Sequence, residues 1–188
     1  MDGGKLVVIS APSGAGKTTI ARAILDAHPS LEFSVSATTR PMRRNERDGR
    51  DYFFLSKADF EARVRAGDFV EWEEIYGNYY GTLKAEIDRA MRAGRHVLFD
   101  VDVSGGLSIR KHFDKALLIF LRPPSLEVLL ARLRDRKTED PATLARRMER
   151  VPMEMERGKE FEHQIVNDDL TCAVAEVNAL VTLYLRNS

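Results

Sequence analysis

The chain has 188 residues, 44% of them apolar, and its Lys+Arg and Asp+Glu counts balance at 29 each. That length buries one core with room for a smaller insert, and zero net charge provides no global field for nucleic acid or a membrane surface. No apolar run approaches a bilayer span, and Cys172, the single cysteine, excludes an internal disulfide, so the chain reads as a soluble, cytoplasmic protein.

A short apolar run, Leu6-Val7-Val8-Ile9, opens the pattern as a buried strand. Residues Ser10 to Thr19 follow as Ser-Ala-Pro-Ser-Gly-Ala-Gly-Lys-Thr-Thr. This matches the phosphate loop G-x-x-x-x-G-K-[ST], with Ala11 in the first glycine position. Alanine there requires an ordinary negative φ and keeps the backbone small. The backbone N–H groups of Ala11, Pro12 (which lacks one), Ser13, Gly14, Ala15, Gly16, Lys17, Thr18 and Thr19 form the candidate triphosphate cradle. The Lys17 ammonium would reach the β/γ-phosphates, and the Thr18 hydroxyl would ligate Mg²⁺. Ile20, Ala23, Ile24 and Ala27 then repeat at helical spacing, predicting a helix from Lys17 that stops before Pro29.

Residues 33–39 alternate as a half-buried strand, and residues 40–51 are polar and charge-dense, as a loop is. Tyr52-Phe53-Phe54-Leu55 reads as a strand. Ser56 caps a short helix over 57–66 that Gly67 ends. Residues 69–75 and 79–82 flank Gly77-Asn78 as a hairpin. This β-rich block interrupts a β/α alternation, which predicts an insert over residues 34–94. The alternation resumes with a helix over 84–93, a buried strand over 96–102 ending in acids, and the apolar run 116–121, which suits a parallel strand buried on both faces. Ser125 caps a helix with Leu126, Leu129, Leu130 and Leu133 on one face. A second helix starts near Ala142, and Pro152 inside it predicts a kink or break. Ile165-Val166 is a short last strand before an amphipathic C-terminal helix. Cys172 falls in the apolar period of that helix and is expected as an inert core thiol. The fold class is α/β, a parallel sheet wrapped by helices on both faces.

Several side chains carry chemistry. Asp100 ends an apolar strand, the position from which phosphate-loop enzymes reach the Mg²⁺ shell, directly or through water; its alternative is a solvated acid. Arg40 and Arg43 follow a strand edge of hydroxyl residues, and two guanidinium forks there suit a second phosphate, outside the phosphate loop. Arg47 and Arg50, interleaved with acids, read as a solvated charge run. The phenols of Tyr52 and Tyr80 add neutral donors to the second phosphate, or simply pack. Arg132 and Arg136 are four apart on one helix opposite its leucines, and Arg147 is on the next. Arginines on a closing segment suit the equatorial charge of a transferring phosphoryl group. The four histidines are scattered and carry no assignment.

Taken together, these motifs resemble the guanylate kinases nearly from end to end. The phosphate loop, Phe33-Ser34-Val35-Ser36-Ala37-Thr38-Thr39-Arg40 with Arg43, Glu46, Gly49 and Asp51-Tyr52, then Phe69-Val70-Glu71-Trp72, Gly77-Asn78-Tyr79-Tyr80-Gly81-Thr82 and Asp100-Val101-Asp102 match family blocks. So do Pro123-Pro124-Ser125, Arg132, Arg136, Arg147 and Val166-Asn167-Asp168-Asp169-Leu170. The resemblance implies a P-loop nucleoside monophosphate kinase fold, its parallel-sheet core joined by a β-rich GMP-binding insert and a helical lid. It implies a core over 1–33, 95–125 and 150–188, a GMP-binding insert over 34–94 and a lid over 126–149. Arg40, Arg43, Tyr52 and Tyr80 would bind the GMP phosphate, while Ser36, Glu71, Thr82 and Asp102 would read the base. Asn167 would lie on the adenine side of ATP, and Lys17, Arg40, Arg132, Arg136 and Arg147 would serve catalysis. Guanine presents N1–H and its amino group as donors and O6 as an acceptor, which carboxylates and hydroxyls complement. Adenine reverses the polarity at positions 1 and 6 and leaves acids unpaired. Taken alone, Glu71 could equally be a surface strand acid and Asp102 a turn former. Pro41-Met42-Arg43, Lys137 and Pro152 depart from the family pattern.

The expected reaction is transfer of the γ-phosphoryl group of MgATP to GMP and dGMP, giving ADP and the nucleoside diphosphate, within purine metabolism. The expected partners are ATP and GMP, with Mg²⁺ as cofactor and no nucleic acid or membrane; a homo-oligomer is compatible but not required. Two alternatives carry the same outline. One is a guanylate-kinase-like peptide-binding scaffold module, which should show an eroded phosphate loop. The other is a P-loop kinase for another phosphorylated small molecule, which should lack the Glu71, Thr82 and Asp102 set.

Overall fold

A computed structural model of the chain describes residues 4–134 and 141–187. Five strands form a wholly parallel sheet: β1 (Leu6–Ser10), β2 (Leu31–Phe33), β7 (His96–Asp100), β8 (Leu117–Arg122) and β9 (His163–Val166), in the order β2-β7-β1-β8-β9. Side chains on successive strand positions face opposite ways, so β1 feeds two cores. Val7 and Ile9 join Leu98, Leu117 and Ile119 on one face, beneath α1 (Lys17–Ala27), α5 (Leu126–Arg134) and α7 (Leu170–Arg186). Leu6 and Val8 join Phe99, Leu118 and Phe120 on the other, beneath α3 (Lys84–Arg92) and α4 (Val103–His112). Burial on both faces explains why these strands read as continuous apolar runs rather than alternating ones.

The second sheet has four strands in the order β4-β3-β6-β5: β3 (Ala37–Thr38), β4 (Phe53–Phe54), β5 (Phe69–Ile75) and β6 (Asn78–Leu83). It has a small core of its own. Phe60 of α2 (Lys57–Ala66) stacks on Phe69 with centroids 4.4 Å apart, and Ala37 and Leu83 close the cluster. Ser56 caps α2 by accepting from the Asp59 N–H, and Gly67 ends it at φ 72°. Within the 34–94 span, α3 buries Ile87 and Ala90 against the parallel sheet.

Five details differ from the sequence reading. Residues 33–39 are not one strand: Phe33 ends β2, residues 34–36 turn away, and β3 begins the second sheet. The hairpin turn is Tyr76-Gly77, with φ 53° and 79°, while Asn78 already pairs with Ile75; two successive positive φ values match the right-handed twist of the flanking strands. The strand expected over 96–102 stops at Asp100, and Asp102 instead caps α4 by accepting from the Gly105 N–H at 2.8 Å. That helix was not expected, because Gly105 and Gly106 weaken its propensity. A Cβ at Gly105 would sit 3.0 Å from Glu71 Oε2, and one at Gly106 would sit 2.7 Å from the Phe161 ring, so close packing calls for glycine at both. Finally, α6 (Pro141–Gly158) runs through Pro152 without a break. Pro152 lies on the exposed side of the helix, where water can serve a carbonyl that has lost its partner.

Cys172 is exposed, against the expectation of a core thiol. The buried seam of α7 is Ala173, Val177 and Val181, and Cys172 stands one residue off it. Its N–H is held by the capping Asp169 carboxylate at 2.8 Å. That carboxylate raises the thiol pKa through its hydrogen bond and charge, which disfavours the thiolate a nucleophile needs.

Candidate active site

The carboxyl ends of β1 and β7 meet the second sheet and α6 around a cleft of about 360 Å³. Ligands of open α/β sheets bind at that end of the strands. The loop after β1 forms its floor. Gly14 and Gly16 have φ of 90° and 89°, a region L side chains avoid. Ala11 has no such φ, so the departure from glycine is accommodated. A Cβ on Gly16 would stand 2.5 Å from Asn167 Nδ2. Asn167 is buried and donates through that nitrogen to the Ala15 carbonyl at 2.8 Å, pinning the loop from the end of β9.

Lys17, at the start of α1, places Nζ 2.6 Å from Asp100 Oδ1 and donates to the Val101 carbonyl at 2.8 Å. The Thr18 hydroxyl donates to Asp100 Oδ2 at 3.1 Å. A hydroxyl and a carboxylate so close are hard oxygen ligands, fitting a Mg²⁺ that takes most of its other ligands from phosphate and water. Among the described residues no cluster of three or more His, Cys, Asp or Glu side chains could cage a metal. Ser13 meets α6: its N–H lies 3.4 Å from Glu154 Oε2, and its hydroxyl accepts from Arg147 Nη1 at 3.1 Å.

On the opposite wall stand Ser36, Tyr52, Glu71, Tyr80 and Asp102. Thr82 is fully buried and reaches the site through Glu71, donating to Oε1 at 2.6 Å. Burial pushes the Glu71 carboxyl up to about 7, with Asp102 nearby adding to the shift and the Thr82 hydrogen bond opposing it. Arg40, Arg43, Arg132 and Asn167 are not among the cleft's lining residues. Arg40 forms a bidentate pair with Glu46 at 2.8 and 3.0 Å and lies over the Tyr52 ring at 5.4 Å. The Glu46 hydrogen bond raises the Arg40 pKa, and Arg40 in turn lowers that of Glu46. Arg43 is exposed and offers its backbone N–H to the same Glu46 at 2.8 Å. Arg132 donates to the Asn167 carbonyl at 3.0 Å. Arg136 and Lys137 lie outside the described residues.

The chain matches the guanylate kinase family model over residues 3–184. The chain belongs to the guanylate kinase family. A guanylate kinase of Chlorobium chlorochromatii is 50% identical over 97% of this chain and 96% of its own. One from Salinibacter ruber is 48% identical over 97% of both. The crystal structure of guanylate kinase from Anaplasma phagocytophilum superposes with a TM-score of 0.77, covering all of this chain and 89% of that one at 24% identity, a likeness of fold.

Three charged lining residues have no place in the sequence reading of this guanylate kinase family member: Glu73, Arg150 and Glu154. Arg150 Nη2 donates to Glu73 Oε1 at 3.0 Å and to Asp102 Oδ2 at 3.1 Å, and its Nε lies 3.5 Å from Glu154 Oε1. Burial pushes Glu73 up to about 7, and contact with Asp102 adds to it. Burial also raises Glu154. Burial opposes the charge of Arg150, but Glu73, Glu154 and Asp102 outweigh it and raise its pKa. The signals were periodic. Glu73 is two residues from Glu71 on the same face of β5, and Arg150 and Glu154 follow Arg147 at helical spacings of three and seven.

Proposed function

We propose that this protein transfers the γ-phosphoryl group of MgATP to GMP or dGMP, producing ADP and the matching diphosphate in purine metabolism. One observation carries the reading. A phosphate loop with Lys17 and Thr18 and an acidic set that includes Glu71 and Asp102 face a single cleft. The donor triphosphate lies on the loop from Ala11 to Thr19, with its adenine toward Asn167. The acceptor phosphate lies with Arg40, Arg43, Tyr52 and Tyr80, and guanine lies against Ser36, Glu71 and Asp102, with Thr82 orienting Glu71. Thr18 would hold Mg²⁺ directly and Asp100 through water; when bound, the ion would offset phosphate charge.

The acceptor phosphate is largely ionised at neutral pH, its second pKa being about 6, so no general base is required. Consistent with this, no histidine lines the cleft among the described residues. The chain's work is alignment of two anions and neutralisation of a loose transition state. Lys17, Arg132, Arg136 and Arg147 supply positive charge from the donor side and Arg40 from the acceptor side. In this reading residues 34–94 form the acceptor block, 126–149 the lid, and 1–33, 95–125 and 150–188 the core on which both close, excluding water. Among the described residues no helix is long and apolar enough to cross a membrane. The proposed enzyme is cytoplasmic, with ATP and GMP as its partners and without nucleic acid or membrane; a homo-oligomer is compatible.

A coupled ADP-release assay comparing GMP, dGMP, AMP, CMP and UMP tests the proposal. Strong preference for GMP and dGMP is expected. Equal turnover with AMP, or none with GMP, would refute it.

A further inference from the structure

Arg150 lies three residues beyond Arg147 on α6, so the two guanidinium groups leave one side of the helix. They reach different halves of the cleft. Arg147 meets Ser13 of the phosphate loop, while Arg150 bonds Glu73 of β5 and Asp102 at the start of α4. Arg150 therefore joins the lid-side helix, the second sheet and the parallel-sheet core at one point. The wall it serves is acidic, for Glu71, Glu73, Asp102 and Glu154 all line the cleft. Glu73 Oε2 is buried without a hydrogen-bond partner among the described residues.

The geometry points to Arg150 and Glu73 as a positioning pair for base recognition: Arg150 holds the Asp102 carboxylate in its aim, and Glu73 anchors Arg150. The inference rests on the reading that Asp102 accepts a hydrogen bond from guanine. Asp102 is held at two points, by the Gly105 N–H on Oδ1 and by Arg150 on Oδ2. Those contacts fix the plane of the carboxylate and leave its remaining lone pairs for a ligand. Adjacent carboxylates repel one another, and Arg150 is the cation that touches both and holds them in place. Lysine cannot substitute fully: Nη2 serves Glu73 and Asp102 while Nε faces Glu154 at 3.5 Å, and a single ammonium cannot occupy both ends of that planar group.

Steady-state kinetics and direct GMP titration of the full-length protein test this with R150Q, R150K, E73Q and the double variant R150Q/E73Q. R150Q is expected to raise KM and Kd for GMP roughly tenfold, the worth of one charge-assisted hydrogen bond. KM for ATP should stay unchanged and kcat should change little. R150K should recover part of the loss, and serves in place of R150Q if that variant fails to fold. The distinguishing readout is rescue. Adding E73Q to R150Q should recover most of the GMP affinity, since it removes the carboxylate left facing Asp102, whereas a merely structural role for Arg150 predicts further loss. R150Q at the unaltered protein's KM for GMP, or a double variant no better than R150Q, overturns the pair alone. Absence of GMP turnover in the unaltered protein overturns the functional reading and this inference with it.

Discussion

Replacing Glu71 by Gln separates what the side chain does for folding from what it does for the base. Burial raises the Glu71 carboxyl from 4.5 to about 7. The folded chain therefore binds a proton between these values that the unfolded chain has released. By linkage, stability falls as pH rises from about 4.5 and levels off above about 7. A shift of roughly 2.5 units at about 1.4 kcal/mol per unit amounts to ~3 kcal/mol at pH 8 and roughly 1 kcal/mol at pH 5. Gln removes that cost and keeps an oxygen for the Thr82 hydroxyl, which now donates to Oε1 at 2.6 Å. Urea unfolding of both proteins at pH 5, 6, 7 and 8 should show the variant more stable, with the gap widening through pH 7. Glu73 titrates in the same range in both proteins, so the difference between them isolates Glu71. The functional effect has the opposite sign. If Glu71 reads guanine as proposed, KM for GMP in the unaltered enzyme should fall more steeply from pH 6 to 8 than in Glu71→Gln, because a carboxylate offers both oxygens to guanine's donors whereas the acid and the amide each turn a donor toward them. Equal stability of the two proteins at pH 8 would refute the desolvation argument.

Two further changes probe the supports of the site. Thr82→Val removes the hydroxyl that opposes protonation of Glu71 and should raise KM for GMP several-fold, leaving KM for ATP unchanged in the same coupled assay. Gly16→Ala forces a Cβ onto a φ of 89° and to 2.5 Å from Asn167 Nδ2. It should cost about 2 kcal/mol in denaturant unfolding and weaken ATP binding measured by titration, with little effect on GMP binding alone.

Elements whose local signals agreed were legible in the sequence. The strand–loop–helix from Leu6 to Ala27 has an apolar run, glycines where φ is positive, and an amphipathic helix behind them, and it forms as expected. The helix over 57–66 was bounded by a cap and a terminal glycine, and its limits match. What was hidden depends on neighbours distant in sequence. The helix α4 contains a glycine pair because Glu71 and Phe161 press against it, and no local pattern reports that pressure. Cys172 shares the apolar period of α7 within one residue, too fine a distinction for periodicity when a cap sets the helix phase. Arg150, Glu73 and Glu154 looked like ordinary charges on a helix and a strand. Only the meeting of α6 with β5 and α4 makes them a cluster.

The two halves of the cleft hold their cations differently, and this bears on which half must rearrange. Arg40 spends two of its hydrogen bonds on Glu46 and one on the Pro41 carbonyl. A guanidinium has five donors, so the remaining N–H groups can meet a phosphate while Glu46 keeps the fork in place. Arg40 is thus held ready beside the cleft, and in the proposed reading acceptor affinity need not include the cost of ordering it. Lys17 is in the opposite position. Its ammonium has three protons, and Asp100 and the Val101 carbonyl engage it at 2.6 and 2.8 Å. Asp100 is also the residue the proposed mechanism assigns to the Mg²⁺ shell. One proton is left for the phosphates, and Lys17 gains a second by releasing Asp100, a step that also frees this carboxylate for the ion. Triphosphate binding should then rearrange the donor half, while GMP binding alone should find the Arg40–Glu46 pair already set.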